Sequence, residues 1–153
     1  MRTFGRIAAA LAVVLAGCTG GGEPEPSPAS PTPAVTFERW QSRNAVEAFQ
    51  TASLEVGGAR AMTRDDYGMA PYVAAEGTRF LIPSLGEDAG GRIMSFASPE
   101  GLYQTKAYYD DLGKNSAAFF SWTFVRDNIL VQLNGELPET RARAYESALA
   151  QMR

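Results

Sequence analysis

The period of apolar residues changes several times along the chain, and each change marks an element. Residues 7–16 form an unbroken apolar run, residues 19–36 are mostly Gly, Pro, Ser, Thr, Ala and Glu, and patterned sequence resumes at Phe37. After Ser42, a good helix N-cap, Val46 and Phe49 with Ala45, Ala48 and Ala52 fall on one side of a helix. Trp40 stands just ahead and would staple the entry. A strand is expected over residues 54–61. Thr63-Arg64-Asp65-Asp66 fits a capping box and predicts a short helix.

Residues 80–85 and 92–97 read as a hairpin around Gly86-Glu87-Asp88-Ala89-Gly90-Gly91, with Pro83 marking an edge strand or a bulge. Ser98-Pro99-Glu100 then supplies an N-cap, a proline at the first helical position and an early acid. Leu102, Thr105, Tyr109 and Leu112 recur at helical spacing, and Gly113 is expected to end that helix.

The stretch 118–135 predicts a second hairpin, residues 118–126 and 129–135 around a two-residue turn, Asp127-Asn128. Both turn residues tolerate positive φ, as a tight hairpin needs. A two-residue loop fixes the register: Arg126 opposes Ile129, Val125 opposes Leu130, Phe124 opposes Val131, Thr123 opposes Gln132, Trp122 opposes Leu133 and Ser121 opposes Asn134. One face is then aromatic and aliphatic, the other largely polar. An antiparallel sheet with one wet face is expected.

Pro138-Glu139 opens the last helix, again with proline at the first helical position, and Ala142, Tyr145, Leu149 and Met152 form its stripe. Moved back 40 residues, this stripe falls on Leu102, Thr105, Tyr109 and Leu112. The pattern predicts an α+β domain over residues 37–153. Its antiparallel sheet carries helices on one face, with a weak duplication of the hairpin–helix unit at 80–113 and 120–153.

The start of the chain has a different purpose. Arg2 and Arg6 precede the apolar run 7–16, and small residues follow, which is the order of an export signal over residues 1–17. A membrane-spanning helix needs about 20 predominantly apolar residues, and this stretch weakens too early. Leu15-Ala16-Gly17-Cys18 resembles the bacterial lipobox. The resemblance implies cleavage before Cys18 and a diacylglycerol on its thiol, and two acyl chains anchor stably where one is marginal. An ordinary signal peptide would leave a lone thiol on a secreted chain. Position, charge order and all four box residues favour the lipobox. Thr19 follows the cysteine where an enterobacterial inner-membrane retention signal has Asp.

Residues 18–36 read as a lipidated Gly/Pro-rich linker. Pro24, Pro26, Pro28, Pro31 and Pro33 favour polyproline II; at about 3.1 Å per residue the segment reaches roughly 50 Å. A proline-motif ligand is the alternative, but no Arg or Lys flanks the prolines to orient docking.

Composition narrows the chemistry. Cys18 is the only cysteine, so no intrachain disulfide forms, and histidine is absent, removing the commonest general base and metal ligand. The chain carries −3; without residues 1–17 it has 12 Lys+Arg and 17 Asp+Glu, a net of −5. Such a surface binds nucleic acid and anionic lipid heads poorly, and no nucleic-acid partner is expected. There is no phosphate loop, no dinucleotide fingerprint and no zinc signature. Ser-Lys chemistry would need Lys106 or Lys114, the only lysines, and neither stands at S-x-x-K spacing.

Acid pairs remain formally open to carboxylate catalysis. Asp65 and Asp66 fit a cap; Glu87 and Asp88 are neighbours on a Gly-rich loop; Asp110 and Asp111 sit near a helix end. Surface acids explain such residues more simply. Phe120, Trp122 and Phe124 would make a stacking platform, but aromatics on a strand face opposite helices are far more often core. The candidate binding face is the polar one, Ser121, Thr123, Gln132 and Asn134, which plain solvated surface would also explain. No catalytic, cofactor or metal residue is assigned.

Asp65-Asp66-Tyr67-Gly68, then Phe80-Leu81-Ile82-Pro83-Ser84-Leu85-Gly86-Glu87-Asp88, the segment 108–114 and the hairpin 119–135 resemble a family of small bacterial lipoproteins. The similarity covers roughly residues 40 to 152. Members share a lipobox and a low-complexity linker, and some carry a stress-protein label. The resemblance implies location and a single fold, and transfers no catalytic residue. The function expected is a non-enzymatic envelope domain, held to the membrane through Cys18, that binds or inhibits a protein partner. A small-ligand sensor or carrier is second, and an acid-dependent hydrolase a distant third.

Overall fold

The computed structural model describes residue 37 and residues 39–153. The expected export signal, Cys18 and the linker through residue 36 lie outside the described residues. In chain order the elements are α1 (Ser42–Thr51), β1 (Gly57–Ala61), α2 (Arg64–Tyr67), β2 (Glu76–Leu81), β3 (Gly90–Ser95), α3 (Pro99–Asn115), β4 (Ser121–Arg126), β5 (Ile129–Asn134) and α4 (Glu139–Ala150). Short 3₁₀ turns occupy Pro83–Leu85 and Ala117–Phe119. The five strands form one antiparallel sheet in the order β1-β2-β3-β5-β4. The fold is α+β, as the pattern predicts.

The β4–β5 register is the expected one at all six pairs, from Ser121 opposite Asn134 to Arg126 opposite Ile129. Asp127 takes the positive φ of the turn, 48°. Both faces of β5 are buried. Ile129, Val131 and Leu133 join Phe49, Phe80, Ile93 and Tyr145 in the larger core, between the sheet and the pair α1 and α4. Leu130 joins Met94, Phe96, Leu102 and Tyr109 in a second core beneath α3.

Helices therefore cover both faces, not one. The order hairpin–helix does recur, as β2–β3–α3 and β4–β5–α4, but the two helices pack on opposite sides. Five of the six β5 residues are buried, and near-continuous burial marks a strand held between two layers.

Several boundaries move for local reasons. β2 begins at Glu76, four residues before the expected Phe80, and pairs with β3 from Glu76–Ser95 to Leu81–Gly90. Pro83 lies in the 3₁₀ turn after β2, where its missing N–H costs nothing. The N-cap of α1 is Gln41, whose N–H donates to Asn44 Oδ1 at 2.9 Å. Ser42 is buried, its Oγ 2.8 Å from Thr78 Oγ1. α3 runs through Gly113 to Asn115. A Cβ on Gly113 would lie 3.3 Å from Phe120 Cα, so this glycine admits the returning chain and does not cap the helix. Pro138 caps α4 from just outside the helix.

Candidate functional site

A polar row crosses the sheet on the α3 side. Arg79 of β2 pairs with Arg92 of β3, Arg92 with Gln132 of β5, and Gln132 with Thr123 of β4. Successive neighbours share a face because strand side chains alternate with period two. α3 lays Lys106 and Asp110, one helical turn apart, over the Thr123 end. Thr123 Oγ1 donates to Asp110 Oδ1 at 2.6 Å, and Lys106 Nζ donates to Asp110 Oδ2 at 2.6 Å and to Thr123 Oγ1 at 3.2 Å. Burial opposes ionisation of Asp110, but the Lys106 ammonium and the Thr123 hydroxyl outweigh it and hold the carboxyl below its usual range. Arg92 Nη1 donates to Gln132 Oε1 at 2.8 Å, and its Nε to the Asp66 carbonyl at 2.7 Å.

Asp66 closes the far end. Its carboxylate accepts from Arg60 at 2.6 and 2.8 Å and from the Thr63 N–H at 2.7 Å. The Arg60 guanidinium, helped by Thr63, holds the acid well below the usual carboxylate range. Every charged group in this row has a partner, which is the signature of a structural network.

The face Ser121, Thr123, Gln132 and Asn134 is thus not an open wet surface. α3 covers it, Thr123 is tied to that helix, and Gln132 is only 7% exposed. The cover is incomplete at one end. Between the last turns of α3, the 3₁₀ turn Ala117–Phe119 and the end of β5 lies a cleft of ≈ 390 Å³. Tyr109 and Leu112 line it from α3, Ser121 from β4, and Gln132 and Asn134 from β5. Phe119, Phe120 and Glu136 also line it. Three of the four residues of the candidate face meet here, and Thr123 does not.

Unused hydrogen-bonding capacity lies just beneath the cleft lining. Tyr109 Oη and Ser121 Oγ are the two buried side-chain polar atoms, among the described residues, with no hydrogen-bond partner. Burial raises the Tyr109 phenol above its ordinary value, so it remains a neutral O–H. Asn134 Oδ1 accepts from the Glu136 N–H at 2.8 Å.

The other candidates are placed elsewhere. Glu87 and Asp88 are exposed on the loop before β3, and Asp111 pairs with Lys114 at 2.9 Å on the surface. Phe124 is core, and Trp122 packs against that core with Nε1 donating to the Leu137 carbonyl at 2.9 Å. Phe120 is not core: it is 42% exposed, because it precedes β4 and ends the 3₁₀ turn. No group of three or more His, Cys, Asp or Glu among the described residues is placed to hold a metal ion. Tyr109 is legible only as a stripe residue, and Phe119, expected in the strand 118–126, lies instead in the 3₁₀ turn before β4, which starts at Ser121. No family model, no curated protein and no solved structure matches the chain.

Proposed function

We propose that the protein is a lipid-anchored, extracytoplasmic binding protein of the cell envelope, and that its domain takes a small ligand in the cleft beside α3. The cleft carries the binding half of this reading, because Tyr109 and Ser121 line it and hold two unpaired hydroxyls just beneath its surface. Native domains leave few such groups without a reason. Its volume falls in the lower part of the range of ligand pockets, about 300–1,000 Å³. The anchoring half rests on the order Arg2, Arg6, apolar run, Leu15-Ala16-Gly17-Cys18. The absence of histidine and the place of the lone cysteine in that box support a non-enzymatic role.

Sedimentation and mass spectrometry of the full-length protein expressed in a bacterial host test the anchor. The expected mature chain begins at a diacylglyceryl-modified Cys18, stays with membranes in high salt, and is released by Cys18→Ala. An unmodified Cys18, or a chain washed off by buffer alone, removes the anchor from the proposal.

A protein partner is the second reading, and one observation favours it. Met69, Tyr72 and Val73 are exposed by 86%, 58% and 44% on the loop between α2 and β2. Substituting this loop with serine should then abolish capture of a crosslinked envelope protein and leave the cleft intact.

A further inference from the structure

The chemistry of the α3 cleft narrows its ligand. No Lys or Arg lines it, and Glu136 contributes a carboxylate. The nearby Arg92 guanidinium is already engaged by Gln132 and the Asp66 carbonyl, so a phosphate or carboxylate ligand would meet no free cation and would be repelled by Glu136. The remaining polar groups are neutral and work in both directions. Tyr109 Oη and Ser121 Oγ each donate and accept, and both are unpaired. The Asn134 amide NH₂ has no partner among the described residues, whereas its oxygen is occupied by the Glu136 N–H.

Two aromatic rings border the same cleft. Phe119 is 64% exposed and Phe120 42% exposed. Phe120 is braced edge-on against Trp122, ring centroids 5.0 Å apart at 80°, so its position is set before anything binds. An aromatic face is electron-rich and attracts the weakly positive C–H edges of a saturated ring. Clustered neutral donors and acceptors beside exposed aromatics fit a molecule with hydroxyls around a ring whose faces are C–H.

We propose that the cleft binds a neutral pyranose, either a free sugar or the terminal unit of a surface glycan. The proposal rests on reading this cleft as the ligand site. A volume of ≈ 390 Å³ suits a ligand of one or two rings. Asn134 donates to a ring hydroxyl and Phe119 or Phe120 stacks on the ring, while the Ser121 and Tyr109 hydroxyls, which lie just beneath the lining without accessible surface of their own, join as the ligand parts that lining.

Saturation-transfer NMR on the full-length chain, in a polyoxyethylene detergent free of sugar and choline groups, tests this. The probes are methyl glucoside, methyl galactoside and N-acetylglucosamine, with glucuronate and tetramethylammonium as charged controls. At least one neutral sugar should receive saturation, and glucuronate should not. Ser121→Ala and Phe119→Ala should each weaken binding by about tenfold, the scale of one lost hydrogen bond or contact. Thermal melts of both variants separate lost binding from lost folding, and the exposed Phe119 makes the second variant safe for the core.

Response to tetramethylammonium alone, abolished by the same variants, overturns the sugar and leaves the cleft as a ligand site. Sugar binding unaffected by either variant, or no response to any probe together with no retention on glycan-coated beads, overturns both the sugar and the cleft. Retention on glycan-coated beads without response to the monosaccharides assigns the ligand to a glycan end, and the reverse assigns it to a free sugar.

Discussion

Asn128 holds Trp40 much as a neighbouring strand would: the Trp40 N–H donates to Asn128 Oδ1 at 2.8 Å, and Asn128 Nδ2 donates to the Trp40 carbonyl at 2.8 Å. The Arg39 N–H adds a third bond to the same oxygen at 3.2 Å. Asn128 is 2% exposed at the tip of the β4–β5 hairpin. Its side chain therefore fastens the segment entering α1 to a turn 88 residues later. The Trp40 indole completes the clamp, donating to Asp127 Oδ2 at 2.7 Å.

Asn128→Ala should consequently do more than remove a turn former. It strands the Trp40 carbonyl and the Arg39 and Trp40 N–H groups, all part-buried, and an unsatisfied group costs about 1–3 kcal/mol when fully buried and less where water reaches it. A loss of about 2 kcal/mol is expected in urea denaturation, with Trp40 fluorescence shifted to the red as the clamp opens. A loss below about 1 kcal/mol, the ordinary range for surface substitutions being smaller still, would show that α1 is held by its core contacts alone.

What the sequence could and could not reveal follows from where its periods are clean. The Asp127-Asn128 turn is two residues long, so one choice fixed six pairs of β4 and β5. β2 was displaced because Glu76-Gly77-Thr78-Arg79 has no apolar alternation, while the apolar run Phe80-Leu81-Ile82 straddles the strand end. α3 lies on the face opposite to the expected one for a subtler reason. Lys106 and Asp110 face the sheet, opposite Thr123, so polar residues meet polar residues across a covered interface. Neither pattern alone betrays burial when both partners are polar. Ser121, Gln132 and Asn134 are legible as a polar face, whereas Tyr109 falls within an apolar stripe.

Asp66 gives the domain an acid-sensitive support. Arg60 and Thr63 depress its folded-state pKa below the unfolded value. A depressed carboxylate stabilises fully above the unfolded pKa, near 3.9, and that stabilisation is lost as pH falls from there toward the folded pKa. Unfolding free energies at pH 7, 4 and 3 should fall more steeply in the parent protein than in Asp66→Asn. Asp66→Asn should already be weaker at pH 7. Parallel curves would place the acid dependence on other carboxylates.

Gly135 is required by close approach. A Cβ there would run into the Phe120 carbonyl oxygen and crowd the Phe120 ring. Backbone cannot yield as a side-chain tip does, and overpacking typically costs about 1–3 kcal/mol. Gly135→Ala should reach the upper end of that range, and it should also disturb any ligand bound at the cleft through Phe120. A stable variant with unchanged binding would mean that the chain before β4 shifts freely and braces nothing.

Two buried tyrosines supply the sharpest contrast. Tyr145 Oη donates to the Glu55 carbonyl at 2.8 Å, and burial pushes its phenol up to about 12. Tyr109 Oη is buried with no partner. Removing a paired hydroxyl forfeits a bond worth about 1 kcal/mol and orphans its acceptor, whereas removing an unpaired one relieves a desolvation cost of about 1–3 kcal/mol. Tyr145→Phe should therefore destabilise the domain, and Tyr109→Phe should stabilise it by about 1 kcal/mol while weakening ligand binding. Ser121→Ala should follow Tyr109→Phe in both respects. A gain in stability joined to a loss of binding is the behaviour of groups kept for a ligand at the expense of the fold. If Tyr109→Phe instead lowers the urea midpoint as far as Tyr145→Phe, its hydroxyl already has a partner in solution. The cleft then loses its strongest claim to a ligand.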